Sequence, residues 1–340
     1  MRPHRPLHRL AIAAALACGT LLTACGGGAD SPASTPTANV ASVSQSDATA
    51  DAANATATGI DTVTAMDTIL DTTSALASAQ ATGGLAHVES ADRATQAAGV
   101  TDLTVDCAGG GTATLAITGG TPSSELNGQL DAGEHYSVTY AQCSGSSGLA
   151  QLTGNVEMDV VAANHSTSPA SVSIDVTATH LSLALPAGTV TLDGSATLAR
   201  TVATSGDTTT TTSHVTVPDA TLVTAFNGRS GSFTVSDLDA MRTVTSVGGV
   251  VTASQYEGHH TLSGTANARS FTMAVATTGS VNLDAAGAVV SGAWTVVRPL
   301  YTLATAVAGG VVVVTLDVGN DGTVDRTWSF PAASLAPAAG

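Results

Sequence analysis

From about Leu103 onward, apolar residues recur at every second position, and that period commits most of the chain to β-strands. Val190, Leu192, Gly194, Ala196, Leu198 and Val202 share one face, with Thr, Asp, Ser and Arg on the other. Successive side chains of a strand point to opposite sides, so this is a strand with one buried and one wet face. Val172, Ile174, Val176 and Ala178 alternate too, but Leu181, Leu183 and Leu185 continue in the opposite phase. One extra residue near Thr179-His180 keeps both sets on the core side, which predicts a β-bulge.

Turn signals punctuate the strands: Pro186-Ala-Gly188, Asn227-Gly228, Gly248-Gly249, Asp284-Ala-Ala-Gly287, Gly309-Gly310 and Asn320-Asp-Gly322. A dozen or more strands joined this way predict an all-β antiparallel meander, closed as a barrel or sandwich to hide its edges. Leu-x-Gly recurs at Leu152, Leu192 and Leu262, with a variant at Val290, as a stacked repeat would. The spacings are 40, 70 and 28, so no fixed period supports a solenoid.

Ahead of the strands, Val63, Met66, Ile69, Leu70 and Leu76 recur at helical spacing and Gly83-Gly84 ends the run. This predicts a short N-terminal helical segment within 60–99 that packs on the sheet. Residues 26–59 are rich in Ala, Ser, Thr, Asp and Pro and hold few large apolar side chains. They read as a disordered tether with a span of roughly 30 Å. The β-rich domain is expected over 100–332, with a flexible tail at 333–340.

The chain begins with a basic segment (Arg2, Arg5, Arg9) and an apolar run of fourteen residues, Leu10 to Thr23. That run fits a signal peptide, here residues 1–24, and is too short to span a bilayer. It ends in Leu22-Thr23-Ala24-Cys25, which resembles the lipobox of bacterial lipoproteins. The resemblance implies cleavage before Cys25, acylation of that cysteine with palmitate among its chains, and a stable membrane anchor. Gly26 rather than aspartate follows, which in that class implies the outer membrane.

Without the signal the chain has 7 arginines, no lysine and 26 acidic residues, a formal charge of −19. Phosphate is repelled by such a surface, so nucleic acid is not an expected partner. Cys18 leaves with the signal and Cys25 carries lipid, so Cys107 and Cys143 form an even pair in an oxidising compartment. They are expected to form a disulfide, worth roughly 4 kcal/mol on the chain-entropy model.

Two segments echo a calcium loop. In Ser123-Ser-Glu-Leu-Asn-Gly-Gln-Leu-Asp-Ala-Gly-Glu134, Glu125, Asn127, Asp131 and Glu134 occupy ligand positions 3, 5, 9 and 12. Gly128 sits at the sharp turn and Leu130 at the core-facing position, but Ser123 stands where a carboxylate is needed. In the second segment, Asp317, Asp321 and Asp325 hold positions 1, 5 and 9, while Gly319 and Trp328 replace the ligands at 3 and 12. Asn, Asp and Gly also make tight turns without any metal. The expectation is a hairpin connection with weak calcium affinity, about 0.1 to 1 mM, and no other cofactor.

Catalytic motifs are lacking: there is no GxSxG, HExxH or P-loop. His259 and His260 are adjacent, so in a strand they point to opposite faces and cannot share an ion.

Cys107-Ala-Gly-Gly-Gly-Thr112, Asn127-Gly-Gln-Leu-Asp-Ala-Gly133, Tyr140-Ala-Gln-Cys143 and Asn320-Asp-Gly-Thr-Val-Asp-Arg-Thr-Trp328 together resemble a group of uncharacterised lipoproteins of Gram-negative bacteria. The resemblance covers about a quarter of the chain and implies location and topology without an activity. The expected role is non-enzymatic: a lipid-anchored outer-membrane domain for envelope structure, adhesion or ligand binding. The alternatives are a periplasmic or surface hydrolase with a site assembled from distant strands, and a carrier of a lipid-like ligand.

Overall fold

Ser44 starts the first element. Its hydroxyl accepts the Asp47 N–H at 3.2 Å, and the Asp47 carboxylate accepts the Ser44 N–H at 3.2 Å. This reciprocal cap satisfies two of the amides that a helix start leaves unpaired. The computed structural model describes residues 43–81 and 101–335, apart from short stretches at 108–109, 121–126, 128, 145–150, 167, 186–187, 227–228, 267–268 and 286. Helix α1 runs from Gln45 to Ala81, 37 residues.

That start corrects two expectations. Residues 45–59 are helical rather than part of a disordered tether, and the helix is long rather than short; residues 82–99 lie outside the described residues. The physical reason lies in a graded stripe. Ala48, Ala52, Ala55, Gly59, Val63, Met66 and Leu70 follow one another at spacings of three and four, and all are buried. The first half of the stripe is made of small residues, which give almost no hydrophobic signal in sequence but let the helix approach the sheet closely.

Among the described residues fourteen strands follow: β1 (Thr101–Asp106), β2 (Thr112–Gly119), β3 (Glu134–Ser144), β4 (Gln151–Asn164), β5 (Ala170–Leu185), β6 (Gly188–Ser205) and β7 (Thr208–Phe226). Then come β8 (Arg229–Val247), β9 (Val250–Ala266), β10 (Arg269–Leu283), β11 (Val289–Arg298), β12 (Tyr301–Ala308), β13 (Val311–Val318) and β14 (Arg326–Pro331). Each pairs antiparallel with its neighbours in chain order, so the meander expectation holds. All six turn signals fall between consecutive strands. The sheet is not closed into a barrel: β1 and β14 remain its two edges. At the C-terminal end, Ala332–Leu335 forms a 3-10 turn with Leu335 buried, so the chain stays ordered past the expected start of the tail.

One face of the sheet is apolar from end to end. Leu115, Val138, Met158, Ile174, Leu198, Val235, Met273, Leu303 and Val314 are all buried, and they form one cluster with the helix stripe. The other face is wet; Asp159, Asp175, Thr177 and Thr197 are exposed on it.

The predicted bulge is present. Between Ala178 and Leu181 strand β5 uses one residue more than β6, and His180 takes φ 49°. The Leu-x-Gly strings find their meaning beside it. Gly154 (φ 126°) packs against the His180 carbonyl, and Gly194 (φ 154°) lies so close to Ala220 that a Cβ would sit 2.7 Å from its Cα. Gly292 makes the same approach to Val281. These are bend positions, where a strand without a side chain lets its neighbour fold over. They therefore recur at no fixed interval.

Candidate functional site

Helix α1 crosses the apolar face obliquely, and its course is marked by polar contacts. Arg326 of β14 donates to the Val43 carbonyl at 3.2 Å. Asp51, 1% exposed, accepts from the Arg298 guanidinium at 2.6 Å and the Tyr301 hydroxyl at 2.9 Å. Burial pushes the Asp51 carboxyl above its ordinary pKa, and the Arg298 charge opposes that push. Trp294 Nε1 donates to the Ala52 carbonyl at 3.1 Å. Farther along, Asp67 accepts from Ser213 at 2.6 Å and lies 3.8 Å from Arg242. The ionic groups on this face thus hold the helix down, from β11–β14 at one end to β7–β8 at the other.

Beneath the middle of the helix lies a polar group of a different kind. Tyr256 and His260, both 2% exposed, sit under Gly59. The Tyr256 hydroxyl and both His260 ring nitrogens have no hydrogen-bond partner among the described residues. Burial lowers the His260 pKa to about 4, with a smaller contribution from neighbouring His259. The period-two phase set by Tyr256 and Leu262 places His260 on the buried face and leaves His259 exposed.

The wet face carries histidine–carboxylate pairs. His135 places Nδ1 2.7 Å from Asp159 and Nε2 2.9 Å from Glu157, and Ser137 donates to Glu157 at 2.9 Å. The Asp159 hydrogen bond raises the His135 pKa. The Glu157 carboxylate stands between the serine and the imidazole, so His135 does not face the Ser137 hydroxyl as a base must. His214 and Asp239 pair at 2.8 Å on the same face.

The first calcium-like segment is the β2–β3 connection, and its described part is tightly built. Glu134, the first residue of β3, is 1% exposed. Its Oε2 accepts the Asp131 N–H at 2.7 Å and the Tyr136 hydroxyl at 2.6 Å. Burial, and then the Glu134 bond, push the Tyr136 phenol well above its usual pKa. Asn127 donates its side-chain amide to Asp131. Ser123, Glu125 and Gly128 lie outside the described residues. In the second segment each aspartate serves its own turn. Asp317 accepts from Asp321 N–H at 3.1 Å and Gly322 N–H at 2.9 Å, Asp321 from Thr323 N–H at 2.8 Å, and Asp325 from Val318 N–H at 2.7 Å.

The Cys107–Cys143 disulfide is formed, with Cα atoms 5.4 Å apart. It joins the end of β1 to the end of β3 across the intervening β2. Cys25 lies outside the described residues. Among the described residues, no group of three His, Cys, Asp or Glu side chains gathers as a metal site. No helix among them is long and apolar enough to cross a membrane. No protein-family model, curated protein or solved structure matches the chain.

Proposed function

We infer that this chain is a lipid-tethered β domain with a non-catalytic role in the bacterial envelope, in structure, adhesion or ligand binding. One observation carries the non-catalytic part: the charged groups on the apolar face, Asp51–Arg298 and Asp67–Arg242, engage the helix and the sheet rather than a cleft. The tethering part rests on Leu22-Thr23-Ala24-Cys25 and the basic, apolar segment before it. Val43 is held at β14, so a chain leading from Cys25 enters the domain at that edge of the sheet.

The test uses the full chain in a Gram-negative host and its Cys25→Ser variant. Wild type should incorporate labelled palmitate and fractionate with outer membranes, while the variant should be unlabelled and soluble. A variant that stays in the membrane pellet removes the lipid anchor from this reading. The folded soluble variant should turn over no ester, glycoside or peptide substrate. Turnover that is abolished by His135→Ala or Asp159→Asn would replace the non-catalytic reading with the hydrolase.

A further inference from the structure

We propose that the seat of helix α1 on the sheet is an acid-operated latch: a proton taken up by His260 releases the helix while the strands stay paired. The inference does not depend on the lipid anchor or on the envelope role. It starts from how the helix is attached. Among the described residues no backbone–backbone hydrogen bond joins it to a strand. Its polar ties are side-chain bonds at two places: Asp51 with Arg298 and Tyr301 beside the Trp294–Ala52 bond, and Asp67 with Ser213 and Arg242. Asp51 and Asp67 lie about 24 Å apart along the helix. The strands, by contrast, are laddered to one another in chain order and need no helix for those bonds.

Between the two ties the seat is thin in apolar contact. Ala52, Ala55 and Gly59 turn small side chains to the sheet, so the area removed from water there is small. Beneath Gly59, strand β9 changes register against both neighbours near Gly258. Tyr256 and His260, on either side of that residue, turn toward one point: a Cβ on Gly59 would overlap the Tyr256 hydroxyl and lie 3.3 Å from His260 Cε1. Both side chains are 2% exposed, and neither the hydroxyl nor either ring nitrogen has a partner among the described residues.

A proton on that imidazole meets no counter-charge among the described residues. From the helix come Asp51 and Asp67, which already serve Arg298, Tyr301 and Ser213. Strand β8 brings Arg242, opposite Tyr256, a second cation. Strand β9 adds the Tyr256 phenol, and β10 presents Met273, Val275 and Val281. Glu257, bonded to Ser280, and the exposed His259 and Asp239 belong to the wet face. An unpaired charge is costly in the seat and well hydrated outside it, so protonation favours the released helix.

Burial holds the His260 pKa at about 4 in the docked state, against 6.5 for the ordinary side chain. Between neutral pH and pH 4 the released state therefore gains about a hundredfold over the docked one. Asp51 acts in the opposite sense, because its raised carboxyl pKa favours the docked state as pH falls. The release is carried by His260.

Hydrogen exchange on the purified, disulfide-intact protein at pH 7 and pH 4, corrected for intrinsic rates, tests the latch. Amides of 45–81 should lose protection about a hundredfold at pH 4 while those of β7 to β9 keep theirs. Trp294 emission should shift to the red as its bond to Ala52 opens. His260→Phe should keep the helix protected at both pH values. In wild type the His260 ring titration, followed by NMR, should share its midpoint with the loss of helix protection. Helix and sheet losing protection together overturns the proposal. So does a wild-type helix equally protected at both pH values, or a loss unchanged in His260→Phe. If that variant fails to fold, the wild-type midpoints decide, and a His260 titration displaced from the helix transition overturns the proposal as well.

Discussion

Gly59 of the helix lies directly over the phenol of Tyr256, and a Cβ at position 59 would overlap the Tyr256 hydroxyl oxygen and come within 3.3 Å of His260 Cε1. Helix and sheet thus meet here through a contact between the smallest residue and one of the largest. Gly59→Ala should destabilise the fold by about 2 to 3 kcal/mol, through overpacking and not through helix propensity, which alanine improves. Tyr256→Phe should be neutral or slightly stabilising, because the hydroxyl it removes is buried without a partner among the described residues. The pair gives a clean cycle: the double variant should recover part of the Gly59→Ala loss in denaturant melts, because the ring carbon that remains would still lie 2.8 Å from the new Cβ. Purely additive losses would refute the contact.

Arg298 and Asp51 form the helix's buried ionic pin. Arg298→Ala strands the Asp51 carboxylate at 1% exposure and should cost about 3 to 5 kcal/mol. Replacing both, Asp51→Ala with Arg298→Met, should cost much less, since no charge is then left buried. Equal losses in the single and double variants would show that the pair matters by shape and not by charge.

His260 makes stability depend on pH in a defined window. Its pKa is lowered to about 4 in the fold against 6.5 for the ordinary side chain, so the unfolded chain takes up the proton first as pH falls. This histidine's contribution is fully present above about pH 6.5, declines between there and about pH 4, and totals about 3 kcal/mol. His135 works in the opposite direction, because its raised pKa favours the fold below pH 6.5 and is lost as pH rises; it is well exposed and its effect is small. Urea melts from pH 7.5 to 4 should therefore show a slope that His260→Phe flattens. A slope unchanged in that variant would assign the acid sensitivity elsewhere.

Reduction of Cys107–Cys143, or Cys107→Ala with Cys143→Ala, should cost roughly 4 kcal/mol through the 36-residue separation it closes. The loss should appear first at the β1 edge, as faster amide exchange in β1 and β2 than in β7 to β9. Uniform loss of protection would show that the bridge supports the whole sheet and not its edge.

The sequence by itself determined what is local: the period of two, the positions of the turns and the extra residue at His180. Each is set by a few neighbouring residues, since strand phase and turn geometry are properties of short segments. The burial of Glu134 was legible in the same way, because it stands in phase with Tyr136, Val138 and Tyr140. What only the tertiary structure decided depends on residues far apart in the chain. Ala48, Ala52, Ala55 and Gly59 carry almost no hydrophobic signal, and their role as a docking stripe exists only opposite Trp294 and Tyr256. The Leu-x-Gly strings became bends only once Gly154 and Gly194 met His180 and Ala220 on adjacent strands. Whether β1 and β14 would join was likewise beyond any local pattern. Closure of a meander is set by twist and bend accumulated over every strand, and here that sum leaves the two edges apart.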